Sequence, residues 1–374
     1  MNRNSSVRVA GFAAVALTVA LGLSSCGASN EDSGSNSSNS SDSGSSDSSL
    51  SGELNGAGSS AQEAAMAAWK AGFQTANPDV TVNYDPAGSS AGREQFIAGQ
   101  ILFAGSDSYL SDDEVAAAAK KCGGAAIEYP VYVSPIALIY NLPGVDTLQL
   151  SPENIAKIFS GSITTWDDPA IAADNPDASL PSTDITPVHR SDGSGTTANF
   201  TDYMDKADPA DWTAGQTDEW PLKTGEGAEG TSGVVDAVTQ GEGTIGYADE
   251  SQAGDLGQVA VKVGSGYVAP SQDAASAILD ESTPVSGRDA VTDLAIDVNR
   301  TSTTADVYPI VLISYQLVCS TYGSQDEVDL VKGFGSYVIS EGGQTAANEQ
   351  AGSAPITDAL RQKAQSAIDS ITVK

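Results

Sequence analysis

The sequence is poor in basic residues, in histidine and in cysteine. It contains 17 Lys and Arg residues against 49 Asp and Glu residues, which gives a formal net charge of −32, and it has one His and three Cys. A protein that binds the phosphate backbone of nucleic acids needs a basic surface, so that class is excluded. A polybasic attachment to membranes is excluded for the same reason. With no C-x-x-C or H-x-x-x-H spacing, the chain has no predicted metal site, and no cofactor is expected.

The only early apolar run is too short to span a membrane. Val9–Leu23 has 15 residues and follows Arg3 and Arg8, whereas a membrane-spanning helix needs about 20. The pattern predicts an export signal at residues 1–25. The segment Leu23-Ser24-Ser25-Cys26 is similar to a bacterial lipobox, which implies cleavage before Cys26 and a lipid anchor on that residue, with acyl chains such as palmitate. Ordinary secretion, with Cys26 removed or free, is the alternative.

Residues 26–51 are predicted to be a flexible tether. Ser29–Ser51 has 13 Ser among its 23 residues, and Gly, Asn and Asp make up most of the rest. Such a composition cannot form a core. We therefore expect a folded unit held off the outer face of a membrane.

Two further cysteines, Cys122 and Cys319, are a candidate disulfide. Exported proteins keep such bonds. The sequence alone leaves the pairing open, because nearly 200 residues separate them.

The rest of the chain predicts an α/β fold. Its hydrophobic content of 40% is sufficient for a core, and short β-like runs alternate with helical stretches. Three junctions share one pattern, in which a strand is followed by a Gly- and Ser-rich turn and then by a helix. These turns are Gly56–Ser60, Pro86–Ser90 and Arg190–Thr196.

The start of a helix is a natural place for an anion, because its first N–H groups are free and its dipole is positive there. Three such turns, one of them beginning with an Arg, favour an anion site. The alternative is that each turn is simply a helix cap. In the first turn Ser60 and Glu63 have capping-box spacing, and Ser111 and Glu114 repeat that spacing later.

Three motif matches suggest other functions. Gly88–Gly92 fits G-x-S-x-G, so Ser90 with His189 is a candidate hydrolase pair, although the charge of Arg190 disfavours a protonated His189. Gly241–Gly246 fits a dinucleotide motif in letters, but the chain continues as a strand. Gly225–Gly230 precedes a helical run, but no clear strand leads into it and two acids line it.

An ordered set of motifs resembles a known family, the PstS phosphate-binding proteins of the bacterial phosphate ABC transporter. The resemblance runs from about residue 52 to the C-terminus. It rests on the three turns, on Phe103–Asp107, on Ile163–Asp168 and on Tyr308–Ile310.

The resemblance implies a two-lobed periplasmic-binding-protein fold, in which each lobe is a mixed sheet flanked by helices and phosphate lies in the cleft between the lobes. The implied lobes are residues 52–133 with 306–374, and residues 134–305. Asp192 would hold the guanidinium of Arg190. The family more often has Thr-Phe at Ser60-Ala61 and often a second Arg at His189. The implied phosphate-binding residues are Ser60, Ala61, Ser89, Asp107, Arg190, Ser194, Gly195 and Thr196.

Asp107 is an unusual residue for an anion site. An ionised carboxylate only accepts hydrogen bonds, so its ligand must bring a proton. Phosphate near neutral pH carries one, and sulfate does not. The residue therefore predicts discrimination between these two anions, unless it is merely a turn residue before the next helix.

The resulting expectation is a lipid-anchored, monomeric binding protein on the extracytoplasmic face of the cell membrane. It would capture inorganic phosphate and deliver it to an ABC permease, without being an enzyme. The alternatives are an exported serine hydrolase using Ser90 and His189, and a binder of another oxyanion such as sulfate or molybdate.

Overall fold

The computed structural model describes residues 50–374. The predicted signal peptide, Cys26 and nearly all of the predicted tether lie outside the described residues. Within the described part of the chain, no helix has the length and apolarity required to cross a membrane.

The described residues form short and long strands that alternate with helices along most of the chain. The strands are β1 Gly52–Gly58, β2 Val80–Asp85, β3 Phe103–Ser106, β4 Ala126–Asn141, β5 Leu148–Leu150, β6 Thr186–Arg190, β7 Glu226–Ala228, β8 Thr244–Asp249, β9 Gly257–Val263, β10 Gly266–Val268, β11 Thr283–Pro284, β12 Ile296–Asp297, β13 Val311–Cys319, β14 Thr321–Tyr322 and β15 Thr372–Val373.

The helices begin mostly at residues whose side chains cap them. Ser111 and Glu114 form the predicted capping box at the start of α3, and Ser194 caps α6. The helices are α1 Glu63–Ala76, α2 Ser89–Ile97, α3 Asp112–Cys122, α4 Pro152–Phe159, α5 Pro169–Asp174, α6 Gly195–Ala207, α7 Gly230–Gln240, α8 Gln272–Ala277, α9 Gln325–Ile339, α10 Glu341–Ala351 and α11 Asp358–Asp369.

The first lobe is built on strands β2, β1, β3 and β13, in that order across the sheet, followed by the first part of β4. Strand β1 pairs in parallel with β2 and β3, and β13 is antiparallel to β3 and β4. Helix α1 buries the predicted apolar face of Ala65, Trp69 and Phe73. The carboxyl ends of β1, β2 and β3 therefore lie at one edge of this sheet.

The second lobe is built on the last part of β4, followed by β8, β6 and β7. Strand β6 is parallel to both β8 and β7, so the carboxyl ends of these three strands also share one edge. Strands β9, β5 and β10 extend the sheet beyond β4.

Strand β4 belongs to both lobes. Its residues up to Pro135 pair with β13, and those from Ile136 onward pair with β8. This passage of one strand through both sheets confirms the mixed α/β class and fits the expected two-lobed arrangement.

The predicted limits of the lobes, 52–133 with 306–374 and 134–305, remain predictions. A stretch inside the second range contacts the first lobe, because the N–H of Glu128 donates to Thr292 O at 2.8 Å and that of Leu294 donates to Glu128 O at 2.9 Å.

Cys122 and Cys319 are joined by a disulfide in the structure, with their Cα atoms 5.2 Å apart. Cys122 ends α3 and Cys319 ends β13. The bond ties two segments of the first lobe that are 197 residues apart in the chain.

Candidate anion-binding site

Four helices begin in the cleft between the lobes. Helices α1 and α2 come from the first lobe, and α6 and α7 come from the second. The N–H of Ser90 donates across the cleft to Gly193 O at 3.3 Å, and that of Thr231 donates to Ser60 Oγ at 3.1 Å. Free N–H groups and positive helix dipoles are thus concentrated between the lobes.

The start of α1 is held by Ser59, and not by Ser60 as predicted. Ser59 Oγ accepts from the N–H groups of Ala61 and Gln62, each at 3.1 Å. The capping-box prediction for Ser60 and Glu63 is therefore wrong. The hydroxyl of Ser60 points across the cleft, where it lies 3.1 Å from Thr231 Oγ1.

Three predicted residues lie at the start of α6. Ser194 Oγ accepts from the N–H of Thr197 at 3.2 Å, which leaves the hydroxyl proton of Ser194 free to donate. Gly195 and Thr196 are the first two residues of the helix, so their N–H groups have no helical acceptor. Thr196 Oγ1 is buried and has no hydrogen-bond partner among the described residues.

Gly195 allows the lobes to approach closely. A Cβ atom at this position would lie 2.7 Å from Ser89 Oγ and 2.8 Å from Asp107 Cβ, both on the opposite lobe. Ser89 Oγ in turn accepts from the N–H of Asp107 at 3.1 Å. Any larger residue than Gly would hold the cleft open here.

Arg190 places a buried positive charge at the end of β6. Its side chain is 2% exposed, and its Nε donates to Asp192 Oδ1 at 2.7 Å, while Nη2 donates to Asp192 Oδ2. Asp192 also accepts from the N–H of Gly230 at 3.0 Å. The Arg190 bonds lower the pKa of Asp192 despite its burial. No hydrogen bond from Nη1 of Arg190 is formed within residues 50–374.

Asp107 is a buried carboxylate on the opposite wall. Its Oδ1 accepts from Ser314 Oγ at 2.6 Å, and its Oδ2 accepts from Ser59 Oγ. Burial raises the pKa of Asp107, and the hydrogen bonds from Ser314 and Ser59 and the charge of Arg190 partly oppose that rise. The site therefore contains an acceptor next to many donors.

Helix α7 contributes Gly230 and Thr231, which sequence reasoning missed. The sequence shows no clear strand leading into Gly225–Gly230, and two acids line this segment, so its match to a dinucleotide motif is weak. In the structure a short strand, β7, lies within this segment at Glu226–Ala228 and pairs in parallel with β6, and α7 begins at Gly230. The strand has only three residues, and two of them are Gly227 and Glu226, so its pattern carried little signal.

The candidate hydrolase residues are not arranged as a catalytic pair. Ser90 Oγ donates to Asp218 Oδ2 at 2.6 Å. His189 stacks on Trp220, with ring centres 4.9 Å apart, and its Nδ1 lies 2.9 Å from Arg190 O. Burial lowers the pKa of His189. Within the described part of the chain, Ser90 and His189 share no hydrogen bond.

Asp218 joins the two lobes beside the site. It lies in the loop between α6 and β7, and its Oδ2 accepts from Arg93 Nη2 of α2 at 2.8 Å as well as from Ser90. Its main-chain oxygen accepts from the N–H of Ser194 at 2.9 Å. Asp218 therefore positions Ser194, a predicted phosphate-binding residue, and at the same time contacts the first lobe through Ser90 and Arg93.

A cavity of about 410 Å³ is lined by Asp107 and, on α6, by Ala198 and Asn199, but not by Arg190. Arg93, Tyr109 and Tyr315 are among its lining residues. The charge of Arg93 is already balanced there by Glu114 and Asp218. The charge of Arg93 is therefore already neutralised, and the cleft that contains Arg190 is the better candidate for an anion.

Comparisons with known proteins agree with this geometry. A family model described as "PBP superfamily domain" matches residues 43–342. Phosphate-binding protein PstS 3 of Mycobacterium leprae is 37% identical over 85% of this chain and 86% of its own length. The protein of the same name from Mycobacterium tuberculosis is 35% identical over 94% of this chain and 95% of its own.

The chain belongs to the PstS family.

Solved structures show the same fold. A high-affinity periplasmic phosphate-binding protein (PfluDING) bound with phosphate has a TM-score of 0.69 at 22% identity, covering 83% of this chain and 92% of its own. A phosphate-binding protein from Stenotrophomonas maltophilia has a TM-score of 0.65 at 20% identity, covering 84% and 93%. The expected two-lobed fold of the PstS family is thus confirmed.

The burial of Asp107 predicts a pH-dependent stability in this PstS-family chain without ligand. A raised pKa means that the folded state holds the proton more tightly than the unfolded state, so the free energy of unfolding falls as pH rises above about 4. An Asn side chain does not ionise, so Asp107→Asn removes this decrease in the free energy of unfolding. The decrease is about 1.4 kcal/mol for each pH unit by which burial raises the pKa of Asp107. We expect the variant to gain stability over the wild type between pH 4 and pH 7 in urea unfolding.

Asp79→Asn, at an exposed turn, is the matched control for the substitution itself. If the difference in free energy of unfolding between the wild type and Asp107→Asn stays constant, or shrinks with rising pH, the raised pKa of Asp107 is contradicted.

Proposed function

We propose that this chain captures inorganic phosphate in the cleft between its lobes and presents it to the membrane permease of an ABC importer. The observation that carries this proposal is the hydroxyl of Thr196 in the first turn of α6, which is buried without a hydrogen-bond partner among the described residues. A buried polar group needs a hydrogen-bond partner. A tetrahedral anion supplies one, because its oxygens accept from several directions.

The donors around this point suit an oxyanion. Arg190 offers Nη1, α6 offers two main-chain N–H groups, and Ser89 and Ser194 keep hydroxyl protons because their oxygens already accept bonds. A planar guanidinium stays charged when it is enclosed. We assign Ser60, Ala61, Ser89, Asp107, Arg190, Ser194, Gly195 and Thr196 to phosphate and Asp192 to holding Arg190, and we add Thr231, which holds Ser60 across the cleft.

The carboxylate of Asp107 supports phosphate over sulfate. Its two oxygens accept from Ser59 and Ser314, and each carboxylate oxygen has room for a second donor. Phosphate brings a proton to that position, whereas sulfate brings only negative charge. The relatives are named as phosphate-binding proteins, which points the same way.

The wider role follows the family. We propose that the mature chain is a lipoprotein anchored through Cys26 on the extracytoplasmic face, and that it works as a monomer without catalytic chemistry. Curated relatives are named as binding proteins and not as enzymes. The hydrolase alternative has little support, because Ser90 donates to a carboxylate and His189 is stacked on Trp220.

Calorimetric titration of the ligand-stripped protein with phosphate and with sulfate tests the function. Losing a hydrogen bond to a charged group costs about 1.5–3 kcal/mol, so we expect phosphate to bind at least about 10–100-fold more tightly than sulfate. Asp107→Asn should narrow this ratio, because a neutral amide donates to sulfate. Equal binding of both anions would contradict the role of Asp107, and binding of neither would contradict the proposed function.

The Asp218→Ala variant should release phosphate faster than the wild type. The substitution removes two hydrogen bonds that exist only when the lobes are together, from Ser90 and Arg93. Because Asp218 is 35% exposed, solvent weakens this contact, and we expect about a tenfold higher dissociation rate with little change in association rate. Stopped-flow measurement with a fluorescent label on one lobe gives both rates.

Glu114→Gln is the matched control for Asp218→Ala. Glu114 binds the same Arg93 at 2.8 Å, but from within the first lobe. The control should release phosphate at nearly the wild-type rate. Similar rates for the two variants would show that Asp218 does not hold the lobes together.

A further inference from the structure

A second buried carboxyl lies at the end of β8, and the predicted ligand set does not include it. Asp249 is 1% exposed. Its Oδ1 accepts from Ser251 Oγ at 2.6 Å and from the N–H of Ser251 at 3.1 Å. Its Oδ2 is buried without a hydrogen-bond partner among the described residues. A buried carboxyl oxygen in this state needs a donor or must itself carry a proton.

Sheet topology places Asp249 at the cleft. Strands β6, β7 and β8 are parallel neighbours, and the first two end at Arg190 and at the turn into α7. Asp249 ends the third, so it lies at the same edge of the second lobe. The short 3-10 turn that follows also reaches the first lobe, because Gln252 Nε2 donates to Ser60 O at 3.3 Å.

Strand pairing also places Asp249 and Asp107 on one face. Asp249 is opposite Ile136, and Tyr132 is opposite Ser314, the residue that donates to Asp107. Tyr132 and Ile136 are an even number of residues apart on β4, so their side chains point to the same face. The side chains on this face of the sheet therefore form a row, which runs from Ser314 beside Asp107 in the first lobe, through Tyr132 and Ile136, to Asp249 in the second lobe.

The row contains further unpartnered groups. Ser134 lies on the same face of β4 between Tyr132 and Ile136, and the hydroxyls of both Tyr132 and Ser134 are buried without partners in the described part of the chain. Tyr247, two residues before Asp249 on β8, lies 2.8 Å from Thr197 Oγ1 in the first turn of α6. The face that carries Asp249 is thus the one on which α6 begins, next to the unpartnered Thr196.

The ionisable groups around Asp249 favour its neutral form. Burial raises the pKa of Asp249 to about 7, and the charge of Asp107 adds to this rise. The hydrogen bonds from Ser251 oppose it, as does the nearby hydroxyl of Ser134, which forms no hydrogen bond in the described part of the chain. Tyr132 faces it from β4 with a pKa well above the ordinary value because of burial. On β6, the charge of Arg190 is paired with Asp192, and Glu250 is the next residue along the chain. A bound anion would add another negative charge near Asp249 and so favour its neutral form further.

We propose that Asp249 is a specificity-determining residue of the anion site, which carries a proton in the closed state and donates it as a hydrogen bond to the bound phosphate. This assignment rests on the proposed function. Asp107 then accepts a hydrogen bond from phosphate, and Asp249 supplies one. The proton comes from solvent, so phosphate binding at a pH above neutrality takes up a proton at Asp249.

Calorimetry in buffers of different ionisation enthalpy tests this assignment by counting the protons exchanged per phosphate. At pH 8 the wild type should take up close to one proton more than Asp249→Asn. The Asn amide also donates, and it accepts from Ser251, so the variant should keep phosphate affinity within about tenfold. Asp249→Ala lacks any donor and should bind at least about tenfold more weakly than Asp249→Asn.

Asp236→Asn, exposed on α7 of the same lobe, is the matched control and should exchange protons like the wild type. Equal proton uptake by wild type and Asp249→Asn would overturn the inference while leaving the proposed function intact. Equal affinity of Asp249→Ala and wild type would also overturn it. Absence of phosphate binding by the wild type would instead overturn the proposed function.

Discussion

The cost of burying charge between two lobes is the constraint on which the rest of the structure depends. Arg190 and Asp107 are each 2% exposed, and an unpaired charge in such a place is strongly destabilising. Asp192 therefore accepts two hydrogen bonds from Arg190, and Ser59 and Ser314 each donate a hydrogen bond to Asp107. We propose that a ligand which offers acceptors and carries a proton satisfies the remaining hydrogen-bonding capacity of Arg190 and Asp107.

The fold brings these groups together by two simple devices. The carboxyl ends of parallel strands in each lobe deliver four helix starts to one cleft, and strand β4 runs through both sheets, so the two edges face each other. Gly195 then permits a contact that any side chain would prevent. The acidic surface matters less, because at physiological salt the screening length is about 8 Å.

The sequence predicted the parts of the site that follow local rules, and missed those that depend on tertiary contacts. The turns Gly56–Ser60, Pro86–Ser90 and Arg190–Thr196 carry Gly and Ser in a clear strand-to-helix pattern, so the sequence predicts the α/β class and three helix starts. Thr231 follows a strand too short to show a period, and Asp218 lies in an irregular loop. The sequence predicted Ser60 as the cap of α1, whereas the neighbouring Ser59 caps it. Both serines can cap a helix, and only the tertiary contact of Ser60 with Thr231 distinguishes them.

The most direct test of the central claim is a crystal structure of residues 50–374 grown with phosphate at neutral pH. The account predicts a tetrahedral anion between the lobes, within hydrogen-bond distance of Arg190 Nη1, Thr196 Oγ1 and an oxygen of Asp107. An anion bound in the neighbouring cavity at Arg93, or one that leaves Thr196 and Asp107 without contact, would contradict it.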